Sequence, residues 1–137
     1  MKSDVIRVFV YGTLKPGESN YQRYCLGKVV EEKEAIAFGQ LFDLDLRDYP
    51  AMTTGENPVH GFLLTFSNPE ILIALDQLED YDPQRTLEEN EYYRQEITIY
   101  DPHYESLGLA WVYLMNPNRV KHLGGVPIPS GCWRQKR

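Results

Sequence analysis

The sequence predicts a single α+β domain in which strands outnumber helices. Five segments are rich in β-branched and aromatic residues, and one segment has apolar residues at helical spacing. The chain has 137 residues, of which 42% are hydrophobic and 25% charged, as in soluble globular proteins. This length is sufficient for a core without disulfides or metals, so we expect one domain over residues 1–137.

The predicted strands are short and are separated by turn residues. Gly39 is expected to form a bulge or bend within the second strand, and a turn is expected at residues 54–58. The last strand is apolar without alternation, which is typical of a strand buried on both faces. The five predicted strands cover residues 5–11, 35–44, 60–66, 92–100 and 107–115.

The first strand ends at a glycine that is followed by a small hydroxyl residue. Gly12 permits backbone angles closed to other residues and allows a ligand to approach the main chain. The amides of Thr13 and Leu14 are then able to point at an anion. The same residues also fit an ordinary strand end before the Lys-Pro-Gly turn at 15–17, and spacing alone favours that interpretation.

One convincing helix begins after Ser67-Asn68-Pro69-Glu70, which supplies capping residues and a proline suited to a first turn. At about 100° per residue from Ile71, the leucines at 72, 75 and 78 complete a buried stripe. Glu79 falls at about 80°, inside that stripe. Residues 20–26 fit either a short helix or a loop packed on the core.

A carboxylate among leucines suggests acid–base chemistry. Burial disfavours the charged form and raises the pKa, which suits a group that takes and returns a proton near neutrality. Three structural alternatives stay open for Glu79: emergence into solvent at the frayed helix end, a backbone cap, or pairing with Arg94.

Composition limits the partners and the location. A net charge of −6 without a dominant basic face argues against nucleic acid. No apolar run reaches membrane-spanning length and residues 1–4 begin no signal peptide, so we expect a cytoplasmic protein. Cys25 and Cys132 favour two reduced thiols, with a disulfide left open. The three histidines are scattered, so no metal is predicted.

Six motifs occur in the order found in the γ-glutamylcyclotransferase-like (AIG2-like) family, which this sequence resembles from about residue 8 to residue 133. The sequence is similar to the small γ-glutamylamine cyclotransferase type. Cys132 stands where the family often has an aspartate. The motifs are Y-G-T-L at 11–14 before Lys-Pro-Gly, L-F-D-L at 41–44 with Y-P-A at 49–51, L-D-Q-L-E at 75–79, Y-Y-R at 92–94, A-W-V-Y at 110–113 and I-P-S-G-C-W at 128–133.

The resemblance implies a small closed mixed β-barrel of five to six strands with one main helix packed on it. It also implies an enzyme that cyclises a γ-glutamyl amide or peptide to 5-oxoproline and releases the amine. Glu79 would be the catalytic base and then acid, and no cofactor is implied. The implied substrate-binding residues are Tyr11, Gly12, Thr13, Leu14, Tyr92 and Tyr113.

Two other functions stay open at this stage: a non-catalytic small-molecule-binding module, or an enzyme that removes a γ-glutamyl group from a biosynthetic intermediate. The leaving amine and the oligomeric state are likewise open. An acidic stretch follows the helix and is either a solvated loop or a wall of the cavity that favours a cationic leaving amine. It contains Asp76, Glu79, Asp80, Asp82, Glu88, Glu89 and Glu91, against Arg85.

Overall fold

The computed structural model describes residues 5–44, 49–86 and 89–134. Six strands and three helices occur in these ranges. Their order is β1 (Ile6–Val10), α1 (Ser19–Tyr24), β2 (Val29–Leu44), β3 (Tyr49–Phe66), α2 (Ile71–Leu78), β4 (Tyr93–Tyr100), β5 (Ser106–Leu114), α3 (Pro117–His122) and β6 (Val126–Pro127).

Five strands form a hydrogen-bonded ring. The strand order is β3-β1-β5-β4-β2-β6, and an additional pairing between β2 and β3 closes the ring, leaving β6 on its edge. β1 runs parallel to β5, whereas β1–β3, β2–β3, β2–β4 and β4–β5 are antiparallel. The predicted fold class, a closed mixed arrangement of strands with a helix packed on it, is confirmed.

β2 and β3 form a long hairpin with one irregularity. Gly39 pairs with Asn57, but the next residue, Gln40, pairs with Thr53, so residues 54–56 bulge out of β3. The predicted bulge at Gly39 is confirmed. The turn predicted at 54–58 does not separate two strands. β3 continues through these residues and pairs with β2 both before and after them.

β2 begins at Val29, six residues before the predicted start. Its first part, residues 29–34, is mostly charged and exposed, so the hydrophobic pattern did not mark it as a strand. Backbone pairing with residues 62–66 of β3 holds it in extended form. Main-chain hydrogen bonds do not depend on side-chain polarity, which explains the difference.

Two buried clusters lie on opposite faces of β1. Val8 and Val10 belong to the cluster that packs against α2, and Phe9 and Tyr11 belong to the other. Successive side chains of a strand point to opposite faces, so β1 is covered on both sides. This explains why its sequence is apolar without alternation.

The predicted helix is confirmed as α2. The Asn68 side chain accepts a hydrogen bond from the Glu70 amide at 2.9 Å, just before the helix begins. Ile71 and Leu75 are buried. Of the two alternatives for residues 20–26, the short helix is confirmed, as α1.

α3 was not predicted, although a capping signal precedes it. Asn116 accepts a hydrogen bond from the Asn118 amide at 2.9 Å, and Pro117 occupies the first turn. Within the described ranges, no helix is long and apolar enough to cross a membrane. Cys25 is buried, Cys132 is exposed, and both are free thiols.

Gly61 lets β3 approach β1 directly before the loop that begins at Tyr11. A Cβ at Gly61 would lie 2.1 Å from the Val10 carbonyl oxygen, which is backbone and cannot rotate away. We expect Gly61→Ala to lower the free energy of unfolding by about 2–4 kcal/mol. Urea denaturation measures this loss.

The matched control is Gly27→Ala. Gly27 has φ +80°, but a Cβ at this position would have no other atom within 4 Å. Only backbone strain of about 1 kcal/mol is therefore expected. Equal losses for the two variants would contradict the close approach of β3 to β1.

Candidate active site

A cavity of about 280 Å³ lies where β1 ends beside the C-terminus of α2. All seven site residues singled out from the sequence line it, although they come from four separate parts of the chain. Their roles stay predictions, but the structure brings them together. They are Tyr11, Gly12, Thr13, Leu14, Glu79, Tyr92 and Tyr113.

Six further lining residues were missed in the sequence. Tyr49 and Pro50 belong to the Y-P-A motif, so their place in the motif was a usable signal, whereas Asn20 had no signal. The missed residues are Phe9, Val10, Asn20, Tyr49, Pro50 and Leu78. Glu91 also lines the cavity, which is the alternative that the sequence left open for the acidic stretch.

The loop after β1 is held in a tight turn. The Lys15 amide donates to the Gly12 carbonyl at 3.0 Å, and the Asn20 amide of α1 donates to the Thr13 carbonyl at 2.9 Å. The Asn20 side-chain amide also donates to Thr13 Oγ1 at 2.8 Å. In the described chain, the amides of Thr13 and Leu14 donate no hydrogen bond, so they are available to a ligand.

Gly12 is required for space rather than for an unusual backbone angle. Its φ is not among the positive values seen at other glycines, so the expected permissive backbone angle is not used. A Cβ at Gly12 would lie 2.8 Å from both Cδ and Cγ of Pro50. Both residues line the cavity, so a side chain at position 12 would collide with the neighbouring part of its wall.

Glu79 is the C-cap residue of α2, one residue past the last helical position. Its amide donates to the Leu75 carbonyl at 2.9 Å, and Asp80 then turns the chain with φ 52°. The side chain of Glu79 is partly buried and lines the cavity. Desolvation, followed by the charge of Glu91, raises the pKa of Glu79 to about 8.

Arg94 pairs with Asp76, not with Glu79. Arg94 Nε donates to Asp76 Oδ1 at 2.9 Å, and the guanidinium lies 4.6 Å from the centre of the Trp111 ring. The Tyr113 hydroxyl donates to the same Asp76 oxygen at 2.6 Å. Pairing of Glu79 with Arg94, one of the structural alternatives, is therefore wrong for the described residues.

The tyrosines of the cavity all donate their hydroxyl protons to protein acceptors. Tyr11 donates to the Tyr113 carbonyl at 2.6 Å, Tyr92 to the Pro50 carbonyl at 2.7 Å, and Tyr49 to Glu91 Oε2 at 3.0 Å. Burial is the main cause that raises the pKa of Tyr11, Tyr92 and Tyr113 above the usual tyrosine value. These hydroxyls stay neutral near pH 7.

The acidic stretch is divided between the cavity and the solvent. Glu79 and Glu91 line the cavity, whereas Asp80, Asp82 and Glu89 are exposed. Glu88 lies outside the described residues. The cavity therefore combines carboxylates and tyrosine hydroxyls with the available amides of the loop after β1. Such a set can bind a molecule that carries both an ammonium and a carboxylate, and can move a proton.

The raised pKa of Glu79 makes stability fall with pH. Between about pH 4.5 and 8 the folded state binds a proton that the unfolded state has released, so each rise in pH favours unfolding. We expect Glu79→Gln to raise the free energy of unfolding at pH 9 by on the order of 2 kcal/mol, discounted for partial exposure. Urea unfolding from pH 5 to pH 9 measures this gain.

The gain should shrink towards pH 5, where the unfolded carboxyl is itself partly protonated. Glu70→Gln is the control because Glu70 is exposed at the start of the same helix. A gain that does not change with pH would contradict a raised pKa at Glu79.

Comparison with solved structures shows the same fold. An AIG2-like protein of Mus musculus superposes with a TM-score of 0.65 at 18% identity, with 97% of each chain covered. YkqA of Bacillus subtilis superposes with a TM-score of 0.65 at 22% identity over 94% of this chain. This chain spans only 39% of YkqA.

The sequence comparisons extend over nearly the whole chain. A protein of Vibrio cholerae serotype O1 named "Putative gamma-glutamylcyclotransferase" is 33% identical over 129 residues, covering 94% of this chain and 96% of the relative. The model of the family described as "Gamma-glutamyl cyclotransferase, AIG2-like" matches residues 8–135. The chain therefore belongs to the AIG2-like gamma-glutamyl cyclotransferase family.

Proposed function

We propose that this protein is an enzyme that cyclises a γ-glutamyl amide or peptide to 5-oxoproline with release of an amine. One observation carries the proposal: Glu79, whose pKa is raised to about 8, shares a cavity with the available amides of Thr13 and Leu14. Family membership supports it. We expect the enzyme to work in the cytoplasm on a small-molecule substrate.

Glu79 would act first as a base. The α-amine of a γ-glutamyl amide is protonated near pH 7 and cannot attack until it loses a proton. Glu79 takes that proton, and the nitrogen lone pair attacks the side-chain carbonyl carbon to close a five-membered ring. The reaction is intramolecular, so holding the glutamyl chain curled supplies much of the rate.

Glu79 would then act as an acid. The proton that it accepted is delivered to the leaving nitrogen as the bond from the carbonyl carbon to that nitrogen breaks. After the attack the ring nitrogen carries two hydrogens, and it gives one of them to the Glu79 carboxylate as the intermediate collapses. That second proton leaves with the amine, so the products are 5-oxoproline and an ammonium, and Glu79 returns to its carboxylate form. The two protons that the α-ammonium loses are the two that the leaving nitrogen gains.

The loop after β1 would bind the negative end of the substrate. The amides of Thr13 and Leu14 are able to hold the α-carboxylate, or to polarise the reacting carbonyl as charge develops on its oxygen. The hydroxyl oxygens of Tyr92 and Tyr113, in the same cavity, have lone pairs left to accept a hydrogen bond from the substrate.

A panel of γ-glutamyl amines and peptides, with detection of released 5-oxoproline, tests the activity and identifies the leaving amine. On the best substrate we expect Glu79→Gln to reduce kcat by roughly 10²–10⁴, because the amide has the size of the carboxyl but cannot accept the proton. Circular dichroism checks that the variant is folded.

Glu70→Gln, on the exposed start of α2, should retain wild-type turnover. Near-wild-type turnover by Glu79→Gln would refute the assignment of the base. Binding of panel members without release of 5-oxoproline would instead favour the alternative of a non-catalytic binding module.

The space at Gly12 provides a second prediction. A valine there would collide with the Pro50 ring and displace the cavity wall beside the amides. We expect Gly12→Val to weaken binding of 5-oxoproline by more than about tenfold, measured by titration calorimetry.

Gly17→Ala is the control: no atom lies within 4 Å of a Cβ at that position, and its φ of +91° adds only backbone strain. Thermal melting of both variants separates lost binding from lost folding. A crystal structure with the ligand carboxylate bound away from residues 11–14 would overturn the assignment of this loop.

A further inference from the structure

Glu91 is a second carboxylate in the cavity of Glu79, although eleven residues separate the two along the chain. Both side chains line the same 280 Å³ space. Like charges in one small cavity oppose each other's ionisation, which is how enzymes separate the pKa values of paired carboxylates. The charge of Glu91 is the second-largest cause of the raised pKa of Glu79, after burial.

The segment before Glu91 is organised by a buried amide. The Asn90 side chain accepts from the Asp82 amide at 2.8 Å and donates to the carbonyls of Asp82 and Thr86, each at 3.1 Å. These three bonds hold Asn90 in place, and the next residue, Glu91, lines the cavity. Asn90 is itself buried, so these bonds join Asp82, Thr86 and Asn90 away from solvent.

Glu91 is also held from the side of β3. The Tyr49 hydroxyl donates to Glu91 Oε2 at 3.0 Å, and the Tyr92 hydroxyl donates to the Pro50 carbonyl at 2.7 Å. These two bonds join the segment before β4 to the start of β3. The carboxylate therefore has a defined position at the cavity wall.

We propose that Glu91 is an electrostatic positioning residue whose negative charge makes Glu79 a stronger base. The effect of Glu91 on the pKa of Glu79 stands by itself, and only its consequence for catalysis rests on the proposed function. A carboxylate with an ordinary pKa near 4.3 is a poor base for an α-ammonium, whose pKa lies several units higher. Glu91 raises the pKa of Glu79 towards that of the ammonium. Each pKa unit of this rise makes proton transfer to Glu79 tenfold more favourable.

The other groups around Glu79 do not supply that negative charge. The hydroxyls of Tyr11, Tyr92 and Tyr113 are neutral near pH 7, and Asp76 does not line the cavity. Among the described residues, the titratable groups that line the cavity with Glu79 are Tyr11, Tyr49, Glu91, Tyr92 and Tyr113.

The titration of Glu79 tests the proposal without a substrate. Carbon-13 NMR of protein labelled at glutamate carboxyl carbons gives the midpoint of Glu79, whose signal is assigned by its loss in Glu79→Gln. We expect the midpoint near pH 8 in the wild type, and a fall of about one pH unit in Glu91→Gln. Glu96→Gln, an exposed change on β4, should leave it in place.

Two further variants keep the test decisive. Glu91→Asp retains the charge and should retain most of the raised midpoint, whereas Glu91→Ala removes the charge without adding an amide and should lower the midpoint as Glu91→Gln does. An unchanged midpoint in both charge-removing variants would overturn the proposal. Because the free protein is titrated, this result does not depend on whether the proposed reaction occurs.

In the active enzyme, the acidic limb of kcat/KM against pH should move to lower pH by the same interval in Glu91→Gln, because that limb reports the essential base of the free enzyme. At a pH where Glu79 is ionised in both the wild type and Glu91→Gln, kcat of the variant should be lower, because Glu79 is a weaker base in the variant. A limb that stays in place while the NMR midpoint of Glu79 moves would refute the role of Glu91 in setting the catalytic base.

Discussion

One oxygen of Asp76 connects α2 to two strands, and the geometry of the cavity depends on this connection. Arg94 of β4 and Tyr113 of β5 both donate to Asp76 Oδ1. Tyr113 also accepts, through its carbonyl, the hydrogen bond from the Tyr11 hydroxyl at the end of β1. Since Glu79 follows Asp76 by three residues, the contacts that anchor this turn also set where its carboxylate enters the cavity.

The position of Glu79 works against the stability of the fold. A desolvated carboxylate near a second carboxylate is a poor choice for folding, because both effects oppose ionisation. The rest of the structure compensates: Leu75 is fully buried one turn earlier, and the Asp76 contacts fasten the same helix. Local conflict of this kind is expected where a site needs a group that folding alone would not favour.

The cavity offers two kinds of hydrogen-bonding group. Its carboxylates, and the tyrosine hydroxyls whose protons are committed to the protein, accept hydrogen bonds. The turn closed by Lys15 leaves the amides of Thr13 and Leu14 as donors. A ligand that carries both an ammonium and a carboxylate complements such a set of groups.

Features that depend on neighbouring residues were predictable from the sequence. The strand that ends at Val10 before Gly12, the stripe of α2 and the bulge at Gly39 all arise from local periodicity and turn chemistry. The order of the six motifs added the family and a set of candidate residues, and those residues line one cavity. The charged start of β2 was missed because its side chains carry no strand signal.

The sequence by itself determined the strand-rich α+β class, the helix that leads to Glu79 and the family to which the chain belongs. Only the tertiary structure decided which charged residues lie close together. Arg94 pairs with Asp76 instead of Glu79, and Glu91 lines the same cavity as Glu79. These pairings join residues brought together by the closure of the strand ring. Spacing along the chain contains no information about such distances, so neither pairing could be derived before the fold was known.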